Sequence, residues 1–175
     1  MNAITEPDLI THFRKLAAEL TIAVENREYE LAPERLRSHG WKVVPVEDGN
    51  HFTADEITQI VSALKSYGYN ECFAVATEPV TPLPSRYRLS ISEEEFRRFN
   101  SECGLFRFLL TTEDQSWAIS CNEWYNLFAA KPELLEALLG KPLEQARQDY
   151  LKFASELAKS PDEPLLLVSS HYSAF

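Results

Sequence analysis

An α+β fold is what the 175-residue sequence predicts, from three features. Apolar residues recur at helical spacing near the N-terminus, two pairs of strand-like runs occupy the middle, and helical spacing returns toward the C-terminus. Because strands and helices do not alternate strictly, the expected sheet is mixed or antiparallel, packed by several helices, with a mainly helical C-terminal part. The length suits one globular domain; a chain of about 150 residues buries about 68–70% of its unfolded surface and needs neither disulfides nor a structural metal to have a core.

Leu9, Phe13, Leu16, Leu20 and Val24 predict a first helix from Pro7 or Asp8 to about Glu25. Pro33 opens a helical turn, and Trp41 to Val46 reads as a brief strand interrupted at Pro45, followed by the turn residues Asp48-Gly49-Asn50. Thr53 and Glu56 have capping-box spacing, so a helix follows with Ile57, Ile60, Val61 and Leu64 inward, stopping near Tyr67-Gly68. Glu71 to Thr77 is apolar on both alternating faces, the mark of a central strand. Three prolines stiffen Glu78 to Ser85, and Arg86 to Ile91 alternates, with Tyr87, Leu89 and Ile91 on one side and Arg86, Arg88 and Ser90 on the other. Ser92 to Glu95 is a second capping box, opening a helix that closes near Cys103-Gly104.

Phe106 to Thr111 and Ser116 to Cys121 form an expected hairpin around the loop Thr112 to Gln115. Asn122 is read as capping a helical segment that ends near Ala130, Pro132 as starting another that Gly140 stops, and Pro142 as opening the last helix. The tail, Ser160 to Phe175, contains Leu165 to Val168, which suits either an edge strand or a segment docked on the surface.

Lys and Arg number 17 against 27 Asp and Glu, for a formal net charge of −10. That field repels a phosphate backbone, so nucleic acid is not an expected partner, whereas it speeds encounter with a basic protein. Cys72, Cys103 and Cys121 are an odd set with no CxxC pair, which favours a reducing compartment. Glu6, Asp8 and His12 stand where a signal peptide needs a basic start and an apolar run, and no apolar stretch approaches the ~18 residues that span a membrane. The expected location is the cytoplasm, with no membrane partner.

Catalytic and cofactor signatures are sparse. Gly40, Gly49, Gly68, Gly104 and Gly140 never cluster, so neither a Walker A loop nor a Rossmann turn can be drawn, and no cofactor is implied. GxSxG and HExxH are missing; Asp48-Gly49-Asn50 begins like a calcium loop, but Thr53 stands where glycine is needed. Cys121 lies at a strand-to-helix passage, where a helix N-terminus lowers a thiol pKa and His51 or His171 could supply a base. It also shares the parity of Trp117 and Ile119, which makes it a buried structural thiol, and Cys72 is core too. His12, His39, His51 and His171 lack metal-ligand spacing, so no metal is expected, and His12 belongs on a helix flank.

Two sets of residues remain as candidate binding groups. Arg86, Arg88 and Arg107 fall on the polar parity of their strands; if those strands are neighbours, their guanidinium groups can grip a carboxylate or phosphate, the alternative being cross-strand Arg–Glu pairs. Arg97 and Arg98 stand four residues after Glu93 and Glu94 and are read as helix-stabilising pairs. The loop carboxylates Glu47, Asp48, Glu113 and Asp114, with the aromatic residues Trp124 and Tyr125, make up a candidate partner surface. The passage Thr112 to Leu135, with Asp114-Gln115-Ser116-Trp117-Ala118-Ile119, loosely resembles segments of small bacterial proteins, some of them immunity-like; the resemblance carries no diagnostic functional residue.

The leading expectation is thus a non-catalytic protein-binding domain, in its most concrete form an acidic immunity or inhibitor protein that meets a basic protein. An anion- or small-molecule-binding domain using the arginines is the alternative. A third is a subunit of a larger assembly that docks through the proline-rich loop or the tail.

Overall fold

The computed structural model describes residues 1–23, 29–47, 52–78, 84–160 and 163–175. In chain order the elements are β1 (Asn2–Ala3), α1 (Pro7–Leu20), β2 (Thr21–Ala23), β3 (Tyr29–Leu31), α2 (Pro33–His39), β4 (Lys42–Val46), α3 (Ala54–Ser66), β5 (Glu71–Ala76) and β6 (Arg86–Ser90). They continue with α4 (Glu93–Cys103), β7 (Phe108–Thr111), β8 (Trp117–Cys121), β9 (Asn126–Ala130), α5 (Pro132–Leu139), α6 (Leu143–Leu157) and α7 (Pro164–His171). Seven strands form one sheet in the order β1-β6-β5-β7-β8-β9-β4, with every pairing antiparallel, and β2 and β3 form a separate ribbon. The fold is α+β.

Strand alternation divides the core into two layers. On one face Cys72, Ala74, Phe108, Leu110, Ile119 and Phe128 pack under Ile57, Ile60 and Leu64 of α3, Phe96 and Phe99 of α4, and Leu134, Leu135 and Leu138 of α5. On the other, Phe73, Val75, Leu109, Ala118, Leu127 and Ala129 lie under α1, α2 and α7, with Phe13 stacked 4.1 Å from Phe73. Both faces are therefore covered, which is why β5, β7, β8 and β9 read as almost continuous apolar runs. Helix α6 crosses the β4 edge, giving Ala146 to the first layer and Tyr150 and Ala154 to the second.

Several elements differ from the sequence expectation. Helix α1 ends at Leu20, because Thr21 takes an extended conformation (φ −122°, ψ 153°) and enters β2, which pairs with β3; Val24 and Glu25 lie outside the described residues. Pro45 does not interrupt β4: it pairs opposite Leu127, and a missing donor is tolerated because β4 is the last strand of the sheet.

Asn126–Ala130 is a strand, not the end of a helix capped by Asn122. It runs between β8 and β4 and is buried throughout, so it lacks the polar alternation that marks a half-exposed strand. The tail forms α7, with Leu165, Val168 and Tyr172 buried against the second core layer, so of the two expected forms it is the docked segment and not an edge strand.

Capping chemistry explains two starts. Thr53 and Glu56 make the reciprocal box at α3 (3.2 and 2.7 Å). At α4 only half of the expected box forms: Ser92 accepts from the Glu95 amide at 3.3 Å, while the Glu95 carboxylate pairs with the Met1 ammonium instead. Arg97 bonds Glu93 as expected, but Arg98 turns to Glu102 rather than Glu94, both at 2.7 Å.

Candidate functional site

A cleft of about 510 Å³ opens at the β4 edge, between the start of α3, the α5–α6 turn and the first half of α6. Its floor is apolar, with Pro45, Val46, Ile60, Phe128, Leu138 and Leu139, and among the described residues its rim carries Glu47, Asp55, Glu56 and Asp149 against the ammonium of Lys141. Each rim group is placed by local structure. Glu47 directly follows β4, and Asp55 and Glu56 occupy the first turn of α3, where the helix dipole favours carboxylates. Asn100 of α4 anchors the approach to that helix by bonding both the Phe52 amide and the Phe52 carbonyl (3.1 and 2.6 Å). Gly140, left-handed at φ +65°, ends α5 and turns the chain so that Lys141 reaches Asp149 at 2.7 Å.

The four carboxylates are not equivalent. Glu56 is held in its capping box, and hydrogen bonds from Lys141 and Gln145 keep the Asp149 carboxyl below its ordinary pKa. Glu47 and Asp55 are exposed and make no hydrogen bond or ion pair with any described residue, so their charge faces solvent.

Only part of the expected partner surface comes together. Val46 pairs with Asn126, which pairs with Cys121, so Glu47 and the β8–β9 turn with Trp124 share one end of the sheet. Glu113 and Asp114 follow β7 beyond Thr111, at the opposite end, one strand length away or about 17 Å. The two acidic loops therefore do not form one surface. Asp114 also has a structural duty, accepting from the Thr112 hydroxyl at 2.5 Å and the Ser116 amide at 3.2 Å to close the hairpin turn. Asp48 and His51 lie outside the described residues. Trp124 is 58% exposed, but Tyr125 is 0% exposed and packs on Tyr150, so it belongs to the core and not to a partner surface.

The arginines are likewise divided. Arg107 precedes β7 and is neutralised by Glu78 and Glu123 (3.8 and 3.3 Å). Arg88 stacks over Phe73 and lies 3.9 Å from Glu71, the cross-strand arrangement weighed as the alternative to an anion grip. Arg86, on the same face of β6, is 8% exposed and makes no ion pair with a carboxylate among the described residues.

Cys121 is buried, and desolvation raises its thiol well above the ordinary range, as it does for Cys72; both are core thiols. His12 is exposed on α1, 3.9 Å from Glu113. Among the described residues no group of three His, Cys, Asp or Glu stands ready to hold a metal ion, and no helix is long and apolar enough to cross a membrane.

The sequence reading missed Asp55, Lys141 and Asp149 altogether and took Glu56 as a capping residue only. No local signal marks them, since the cleft joins residues of α3, the α5–α6 turn and α6 that are far apart in sequence. Comparison with known protein families, curated proteins and solved structures finds no match to this chain.

Proposed function

We propose that this chain is a non-catalytic binding protein that takes a basic segment of another protein into the cleft at the β4 edge, an immunity- or inhibitor-type role in the cytoplasm. The supporting observation is the acidic rim over an apolar floor, with Glu47 and Asp55 uncommitted. Lysine or arginine side chains meet the rim while an apolar side chain between them reaches Ile60, Phe128 and Leu138. Three unpaired thiols accord with a reducing compartment.

Titration with a lysine-rich peptide carrying one central leucine, followed by amide NMR, tests the reading against the same peptide with glutamate for lysine. The basic peptide is expected to shift Glu47, Asp55 and Asp149, to weaken with added salt, and to lose affinity on Glu47→Lys with Asp55→Lys. Equal binding of the acidic peptide, or no response of the cleft to the basic one, overturns it.

A further inference from the structure

We propose that Arg86, Arg14 and Thr77 form a second binding site, for a phosphate-type oxyanion, between α1 and the end of the sheet where β5 stops and β6 starts. Arg86 is 8% exposed, yet among the described residues its guanidinium makes one hydrogen bond, from Nη1 to the Ser85 hydroxyl at 2.5 Å, and its buried Nε finds no acceptor. Because Arg86 pairs opposite Val75, Thr77 is its diagonal neighbour on the same sheet face, within reach of a long side chain. The Thr77 hydroxyl is also buried without a partner among the described residues. A guanidinium only donates and a hydroxyl can donate, so an acceptor between them satisfies both.

The charge balance points the same way. A buried guanidinium ordinarily faces a carboxylate, because its desolvation is otherwise uncompensated. Here burial lowers the Arg86 pKa, and the charged neighbour acting on it, Arg14 of α1, lowers it further. Neither arginine makes an ion pair with a described residue, in a chain where acids outnumber bases 27 to 17. The buried Arg86 with the exposed Arg14 beside it matches a dianion better than a monoanion, and a phosphate monoester carries about −1.5 to −2 at neutral pH, whereas a carboxylate carries half that. Arg88 and Arg107 take no part, each having its own glutamate.

Thermal melts in inorganic phosphate, with acetate and chloride at matched ionic strength, test the site. Phosphate is expected to raise Tm saturably, and acetate less. Arg14→Gln, on the exposed side of α1, and Thr77→Val are each expected to weaken half-saturation by about tenfold, the effect of losing one charge-assisted hydrogen bond. Arg14→Lys retains most of the affinity. These variants spare the buried Arg86, whose replacement can compromise folding. A phosphate response no greater than that of chloride, or unchanged half-saturation in both folded variants, overturns the proposal.

Discussion

The Tyr172 hydroxyl donates to the Leu31 carbonyl at 3.0 Å, a buried bond across 141 residues that ties the C-terminal segment to the β2–β3 ribbon. Tyr172 is 1% exposed, so neither atom has water to replace its partner. Tyr172→Phe keeps the ring and removes the donor, and is expected to cost about 1–3 kcal/mol in urea unfolding. Stability equal to the parent would show that the bond does not hold the tail.

Gly140 and Gln59 meet in the wall of the cleft. A Cβ added at Gly140 would stand 3.0 Å from Gln59 Cδ, at a backbone φ of +65° that costs an L-residue about 1–2 kcal/mol by itself. Gln59 in turn donates to the Ala137 carbonyl at 2.6 Å. Gly140→Ala is expected to destabilise by at least the backbone cost, and Gln59→Ala by about 1 kcal/mol. In the double variant the crowding is gone, so its loss should be smaller than the sum; additivity within about 0.3 kcal/mol would refute the contact.

Asp114 links the β7–β8 hairpin to pH. Burial raises its pKa, but hydrogen bonds from Ser116 and Thr112 outweigh that, and the carboxyl sits below its ordinary value. A depressed folded-state pKa means stability that is fully present above the unfolded value, about 4, and lost as pH falls through the lower folded value. Asp114→Asn should therefore be less stable than the parent at pH 6, with the gap closing toward pH 2. A gap independent of pH would assign the loss to something other than the charge.

Thiol labelling checks the core. Burial lifts Cys72 and Cys121 above the usual thiol range and pushes Cys103 up to about 11, against a hydrogen bond with Tyr87 that acts the other way. All three should resist alkylation in the native protein at pH 8 and react together once it is unfolded. Fast modification of one native thiol would contradict its placement.

Elements with punctuation at their ends were legible in the sequence. Proline at the starts of α2 and α5, the Thr53 box, and glycine at the end of α5 each act within a few residues. Strand β9 and helix α7 were not legible, because their identity comes from what they pack against. Asn126–Ala130 is apolar on both faces and suits either a strand or a buried helix; β8 and β4 on either side decide it. Leu165 to Val168 is apolar without a stripe, and the second core layer beneath it selects a helix.

The sequence by itself determined the α+β class, the acidic charge and the burial of Trp117, Cys72 and Cys121, since these depend on composition and on strand parity. Only the tertiary structure decided which charges meet. The antiparallel register sends the Glu47 and Glu113 loops to opposite ends of the sheet, and the crossing of α6 over β4 places Asp149 on the same cleft as Asp55. Packing separates Arg86 from the paired Arg88 and Arg107 and sets it near Arg14. Periodicity reports the face on which a side chain lies, but proximity between elements depends on strand order and crossing, which no local pattern encodes.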